Sequence, residues 1–248
     1  MKYCFIMILS IFFLRNVNAQ DSVNFKKLSH SFYSINNYNF NGFSANVITE
    51  LPEQIKSKIK QKYKSLVDTL SLKLDFYSKD SIIFLPLGYE QKGNGNYDPE
   101  LTNVVTDDEK WIKDALQTWA KIHSLPVFFE TEKYKCQVTT KENISNIKFE
   151  QDGMAITIFA TDMSRVDSLY TKNGPLIVKL YFETNYYKKQ LVNSIIVLEN
   201  NQLEMKMNYI YESFNEIQIP RSIILYQLLP SLNQIVKVNL VLNNIKLK

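Results

Sequence analysis

Cysteine is nearly absent from this sequence. Two occur in 248 residues, and one of them, Cys4, lies in an apolar N-terminal stretch that reads as a secretory leader. Without that stretch Cys136 stands alone. The mature chain then forms no internal disulfide and depends on its core for stability. Cys136 is expected to be a buried or half-buried strand thiol rather than a nucleophile. Histidine is equally scarce. His30 and His123 are the only two, and neither has an H-x-x-x-H spacing or a cysteine pair to complete a metal site. No G-x-S-x-G elbow is present. The glycines at 93 and 95 lack the following Lys-Ser or Lys-Thr and the helix start that a phosphate loop needs. Asp107-Asp108 is explained by helix capping, and nothing selects Glu183 or Glu199 as glycosidase acids. No catalytic residue, metal site or cofactor is expected, and the chain reads as a non-enzyme.

Strong charge of one sign is missing too. The formal balance is +4, and Lys2 and Arg15 fall in the leader. The remaining +2 or so is too small for a nucleic-acid footprint. Long apolar runs are confined to the start. Lys2 supplies a positive end, Tyr3 to Leu14 is apolar but too short to span a bilayer, and Val17-Asn18-Ala19 precedes an expected cut ahead of Gln20. Residues 1–19 are thus expected to be a signal peptide, with an N-terminal membrane anchor as the alternative. Residues 20–248 are expected to form one domain, exported to a periplasm or secreted.

Alternation is what the sequence has in quantity. Leu203, Met205, Met207, Tyr209 and Tyr211 stand at every second position, with Glu204, Lys206 and Asn208 between them. This is the period of a half-buried strand. Leu176, Val178, Leu180 and Phe182 repeat the pattern, as do Val236, Val238, Leu240 and Leu242. Asn200-Asn201, Ser213-Phe214-Asn215 and 229–233 read as turns too short for crossover helices, so these strands form an antiparallel meander. Earlier strands are expected at 38–49 (Phe43, Ala45, Val47, with Gly42 marking a bulge or bend), 70–87 and 127–160. Gln151-Asp152-Gly153 and Asn173-Gly174-Pro175 are expected turns. Residues 162–170 are either a strand or a connector.

Two helices are expected. One follows Pro52 with Ile55, Ile59, Tyr63 and Leu66 on one face and a lysine-rich face around them. That basic face is either solvated surface or a contact for anionic lipid or an acidic partner. The other begins at a capping box, Thr106 to Glu109, after a polar loop at 88–105. It carries Trp111, Ile112, Ala115, Leu116, Trp119 and Ile122 as one stripe and ends before Pro126. His123 at its end suits the helix dipole. Asn143-Ile144-Ser145 is a glycosylation sequon, relevant in a eukaryotic secretory pathway. The expected fold class is α+β: a strongly curved antiparallel β-sheet, or half-barrel, with helices packed against its concave face.

The C-terminal pattern carries a resemblance. Met205 to Tyr211, then Glu216-Ile217-Gln218-Ile219-Pro220-Arg221, then Val236 to Leu240, resembles the last strands of the LolA-like and RseB-like half-barrel superfamily of periplasmic lipoprotein carriers and sensor domains. The W-x-D-G-like hairpin of the carriers is absent, and their lid arginine has no counterpart here. The resemblance implies an apolar cavity between the concave sheet face and the helices, suited to a lipid or lipoprotein acyl chain. Its lining would be Trp111, Leu116, Trp119, Met205, Met207, Tyr209 and Tyr211. The methionines would adapt to variable chains. An envelope protein is a further expected partner. The same residues equally fit a closed, dry core, and the alternative function is a secreted interaction or sensor module with no lipid ligand.

Overall fold

The structure, a computed structural model, describes residues 31–50, 53–57, 71–77, 81–87, 99–124, 136–151, 154–161, 165–229 and 234–248. Antiparallel strands dominate an α+β chain. Among the described residues these are β1 (Gly42–Glu50), β2 (Ser71–Tyr77), β3 (Ser81–Leu87), β4 (Gln137–Lys141), β5 (Ile144–Gln151), β6 (Met154–Thr161), β7 (Arg165–Asn173), β8 (Leu176–Thr184), β9 (Gln190–Glu199), β10 (Gln202–Phe214), β11 (Ile217–Leu229) and β12 (Gln234–Leu247). They hydrogen-bond in the order β3-β2-β1-β12-β11-β10-β9-β8-β7-β6-β5-β4. One long helix, α1 (Pro99–Ser124), accompanies a helical turn at Glu53–Lys56 and a 3-10 turn at Ile35–Asn37. The expected leader, Cys4, His30, the Ile59-Tyr63-Leu66 stripe and Phe128-Phe129 lie outside the described residues.

The chain forms two compact units. The first joins the residues up to Asn37 with Lys121–Asn208, and the second joins Tyr38–Ala120 with Tyr209–Lys248.

In the first unit, tight described turns set the register at both ends of the strand series, between β4 and β5 and between β9 and β10. Asn200 and Asn201 both have positive φ, at 51° and 64°, and close β9 onto β10 as a two-residue mirror-image turn. Glu142 and Asn143 do the same between β4 and β5, at 50° and 67°. Asparagine tolerates this left-handed region better than other side chains, so Asn143 of the sequon also serves as a turn residue. Directly opposed residues of an antiparallel pair share a face. The pairings therefore thread Ile147, Ile158, Leu169, Leu180, Ile195 and Met207 into one row across β5 to β10. Every member of it is at most 3% exposed. A parallel row of Phe149, Ile156, Thr171, Val178, Val197 and Met205 lies beside it on the same face.

In the second unit, Phe43, Ala45 and Val47 of β1 oppose Phe76, Leu74 and Leu72 of β2, and all six are buried. Val47 also opposes Leu242 of β12, and Leu240 opposes Ile223 of β11. Gly42 is required where β1 begins. Its φ is 139°, and a methyl group there would run into the Phe76 carbonyl.

Several expectations are corrected. The alternation of 203–211 is interrupted, because the β9–β10 register shifts between Leu203 and Met205. Leu203 pairs with half-buried Leu198, whereas Met205 pairs with buried Val197. The bulge thus turns Leu203 to the face opposite Met205. Helix α1 begins at Pro99, so Thr106 to Glu109 is helix interior rather than a cap, and 99–105 is helix rather than loop. Proline fits a first helical turn because the amide hydrogen it lacks has no intrahelical acceptor there. The turn after β10 is Asn215-Glu216, with Ser213 and Phe214 still in the strand. Asn215 has φ 56°, so the left-handed residue sets the turn, while the Ser213 hydroxyl donates to the Gln218 side chain across the hairpin. Of the stretch 162–170, Arg165 to Tyr170 belong to a strand, β7, and 162–164 lie outside the described residues.

Candidate functional site

Five of the expected lining residues belong to the second unit. Helix α1 presents Ile112, Ala115, Leu116 and Trp119 at helical spacing, all at most 1% exposed. Trp111, at the outer end of this stripe, is half-buried. The Trp119 ring meets Phe76, Phe43 and Phe40 edge-on, with centroids 5.8, 6.3 and 6.3 Å away. From β10, the buried Tyr209 hydroxyl donates to the Ala115 carbonyl of the helix at 3.3 Å. Burial drives the Tyr209 hydroxyl far above the usual tyrosine range, so it remains a donor. Tyr211 stacks on Tyr209 at 6.1 Å. Tyr209, with Tyr211 stacked on it, therefore meets at Ala115 the helix that carries Leu116 and Trp119.

Met205 and Met207 belong to the first unit, each at the β10 end of one of the two core-face rows. Met207 is buried and Met205 half-buried. The second row holds one polar residue, Thr171. It is fully buried, and its hydroxyl has no hydrogen-bond partner among the described residues. A buried hydroxyl left unpaired costs about 1–3 kcal/mol. Sequence reasoning missed Thr171, since threonine is as common on solvated strand faces as on buried ones.

A second buried polar group of the first unit is hydrogen-bonded through both its oxygen and its nitrogen. The Gln190 side chain accepts from the Val166 amide at 3.0 Å, donates to the Val166 carbonyl and accepts from the Ser31 hydroxyl at 2.8 Å. It clasps the start of β7 to the start of β9, where β7 has slipped register against β6. His123 is buried against the Tyr33 ring at 5.7 Å. Cys136 is half-buried and burial pushes its thiol up to about 11, the opposite of what a nucleophile needs. Burial also raises the carboxyls of Glu109 and Asp114 on α1, partly offset at Asp114 by Lys110 and Lys113. Among the described residues, no group of His, Cys, Asp and Glu side chains is arranged to hold a metal ion.

The chemistry on offer is an extended apolar face with one unsatisfied hydroxyl, adaptable methionines at one margin and an aromatic knot in the other unit. No family model matches the chain, and comparison with curated proteins and with solved structures gives no match, so the site is read from its own residues.

Proposed function

We propose that this is an exported, non-enzymatic protein that binds a lipid or lipoprotein acyl chain, with the core face of the first unit as the binding wall. The observation that carries the reading is Thr171. A lone buried hydroxyl among Phe149, Ile156, Val178 and Val197 is the feature expected where an apolar ligand brings one polar atom, such as an ester carbonyl or carboxylate. Met205 and Met207 then form the flexible margin of the wall, and each methylene removed from water contributes about 0.8 kcal/mol. A half-barrel of the LolA-like kind, with helix on the concave face, is the architecture this reading assumes. Trp119 and Tyr209 act in it as the packed anchor of the helix, with Trp111, Leu116 and Tyr211 around them.

One observation favours the second reading, a secreted interaction or sensor module with a closed core. The direct contact between Tyr209 and the Ala115 carbonyl leaves no space for a chain at that point. Titration with a fluorescent fatty acid separates the two readings. Under the acyl reading the native protein binds it saturably, and Thr171→Val, which keeps the shape and removes the hydroxyl, binds about tenfold more weakly, the equivalent of one hydrogen bond of about 1.4 kcal/mol. Under the closed-core reading the native protein binds nothing, and Thr171→Val is more stable by about 1 kcal/mol.

A further inference from the structure

The strand series of the first unit ends at β4, and no strand among the described residues pairs with the outer edge of β4. Its five residues, Gln137 to Lys141, are all exposed. The two-residue turn at Glu142-Asn143 fixes which backbone groups that edge presents. Such a turn is closed by a pair that exchanges both backbone hydrogen bonds, here Lys141 with Ile144. Hydrogen-bonded and non-hydrogen-bonded pairs alternate along an antiparallel ladder. Thr139 and Gln137 therefore also bond to β5, whereas the amides and carbonyls of Val138 and Thr140 point outward. Val138 is also where the first core-face row runs out. It opposes Ile147, which is fully buried, yet is itself 39% exposed. Proteins protect such edges with proline, bulges or charges along the strand. β3, at the other end of the strand order, contains Pro86, which has no amide hydrogen to offer. β4 has no proline, pairs with β5 without a register shift, and carries its one charge, Lys141, beside the turn. Val138, Thr139 and Thr140 are β-branched and suit an extended strand.

We infer that β4 pairs antiparallel with β4 of a second copy of this chain, about a two-fold axis at Thr139. Outward amides and carbonyls are complemented by another extended main chain, and a second copy brings the same edge in the reverse direction. The alternation limits the register, because Val138 and Thr140 must meet residues that also point outward. With Thr139 on the axis, the whole of each strand is paired. Val138 then bonds to Thr140 of the second copy, and opposed residues share a face, so that threonine covers Val138 on the core side. Gln137 lies opposite Lys141 of the second copy, so no like charges are directly opposed. Centring the pair on Val138 would leave Thr140 and Lys141 facing residues that precede the strand. Centring it on Thr140 would draw Glu142, a turn residue with φ 50°, into the ladder. Five residues a side bury less than a standard interface, so the dimer is weak and depends on concentration. The pairing does not depend on whether the core face holds an acyl chain.

The test is register-specific cross-linking of the full chain, with Cys136→Ser in every cysteine variant to remove the native thiol. Thr139 opposes its own copy in a non-hydrogen-bonded pair, where Cα atoms about 4.5 Å apart suit a disulfide. Under copper–phenanthroline oxidation, Thr139→Cys should give a covalent dimer. Gln137→Cys and Lys141→Cys should each stay monomeric alone and cross-link when mixed. Native protein should sediment faster as its concentration rises. Thr140→Pro removes only an outward amide hydrogen, so the β4–β5 ladder should survive, with native circular dichroism and no dimer. If that variant misfolds, the cross-linking pattern decides alone. The inference is overturned if native protein stays monomeric up to millimolar concentration, or if the three single cysteine variants cross-link equally, as random collision would have it. A dimer that persists in folded Thr140→Pro would also overturn it and place the contact elsewhere.

Discussion

The two units bury their apolar residues by different means. The second unit concentrates its core on rings. Trp119, Phe40, Phe43 and Phe76 meet within 6.3 Å, and Tyr209 ties the strand to the helix backbone. The first unit spreads its core over two long rows of mostly aliphatic side chains, with Thr171 the polar exception in the rows and Gln190 among the buried polar residues outside them. Aromatic packing at fixed angles tolerates little change of shape, whereas rows of Ile, Leu, Val and Met accept repacking at modest cost. The difference indicates where each job can sit. The aromatic unit is built to hold one arrangement, and the aliphatic unit is the one on which the proposed acyl binding rests.

The largest expected effect tests the first half of that contrast. Trp119→Ala should destabilise the protein by about 3–5 kcal/mol, the usual cost of removing a large buried ring. In the first unit, Ile195→Val at a site equally buried should cost only about 0.5–1.5 kcal/mol. Urea denaturation of both variants measures the two numbers. Equal losses would break the comparison.

Gln190 comes next, because it is where the first unit is not soft. Gln190→Leu keeps the bulk and strips the Val166 amide and carbonyl of their buried partner. A loss of about 2–4 kcal/mol is expected, since each group left unpaired costs about 1–3 kcal/mol. Hydrogen exchange at Val166 reports the site directly. A loss below about 1 kcal/mol, with unchanged protection of that amide, would show that the clasp is dispensable.

Much of this architecture was legible in the sequence, for an identifiable reason. Strand faces follow a two-residue period, so Phe43-Ala45-Val47, Val178-Leu180-Phe182 and Val236-Val238-Leu240-Leu242 expose their buried side in the text of the chain. Asn200-Asn201 was legible because few other residues accept two successive left-handed conformations. What escaped were features of the backbone rather than of side-chain type. The shift between Leu203 and Met205 is a change of register, and both residues are apolar, so nothing in their identity marks it. Pro99 looked like part of a turn because proline serves turns and helix starts equally. The candidate site was legible only in outline. Its apolar residues could be named, but the grouping of Met205 with Val197, Val178 and Thr171 depends on pairings between strands distant in sequence.

The smallest expected effect sharpens the other end of the contrast, at the tie between β10 and the helix. Tyr209→Phe removes one hydroxyl and one hydrogen bond, to the Ala115 carbonyl. The ring stays in place, so a loss of about 1 kcal/mol is expected at neutral pH. The pH dependence identifies the group. Burial raises the Tyr209 ionisation above its ordinary value of 10.0, so the unfolded chain releases this proton more readily than the native one. Stability from this source is complete below about pH 10 and is lost as pH climbs from there toward the folded-state value. Tyr181 of the first unit, pushed up to about 12 by its hydrogen bond to Tyr170, by burial and by the Tyr170 charge, adds a second alkaline component. Urea midpoints measured from pH 8 to pH 11 should therefore fall less steeply above pH 10 in Tyr209→Phe than in native protein, with the remaining slope reduced further in Tyr181→Phe/Tyr209→Phe. Identical alkaline slopes in native protein and Tyr209→Phe would mean that the hydroxyl is wet and the helix is not tied there. The aromatic unit would then lose the rigidity that sets it apart from the first.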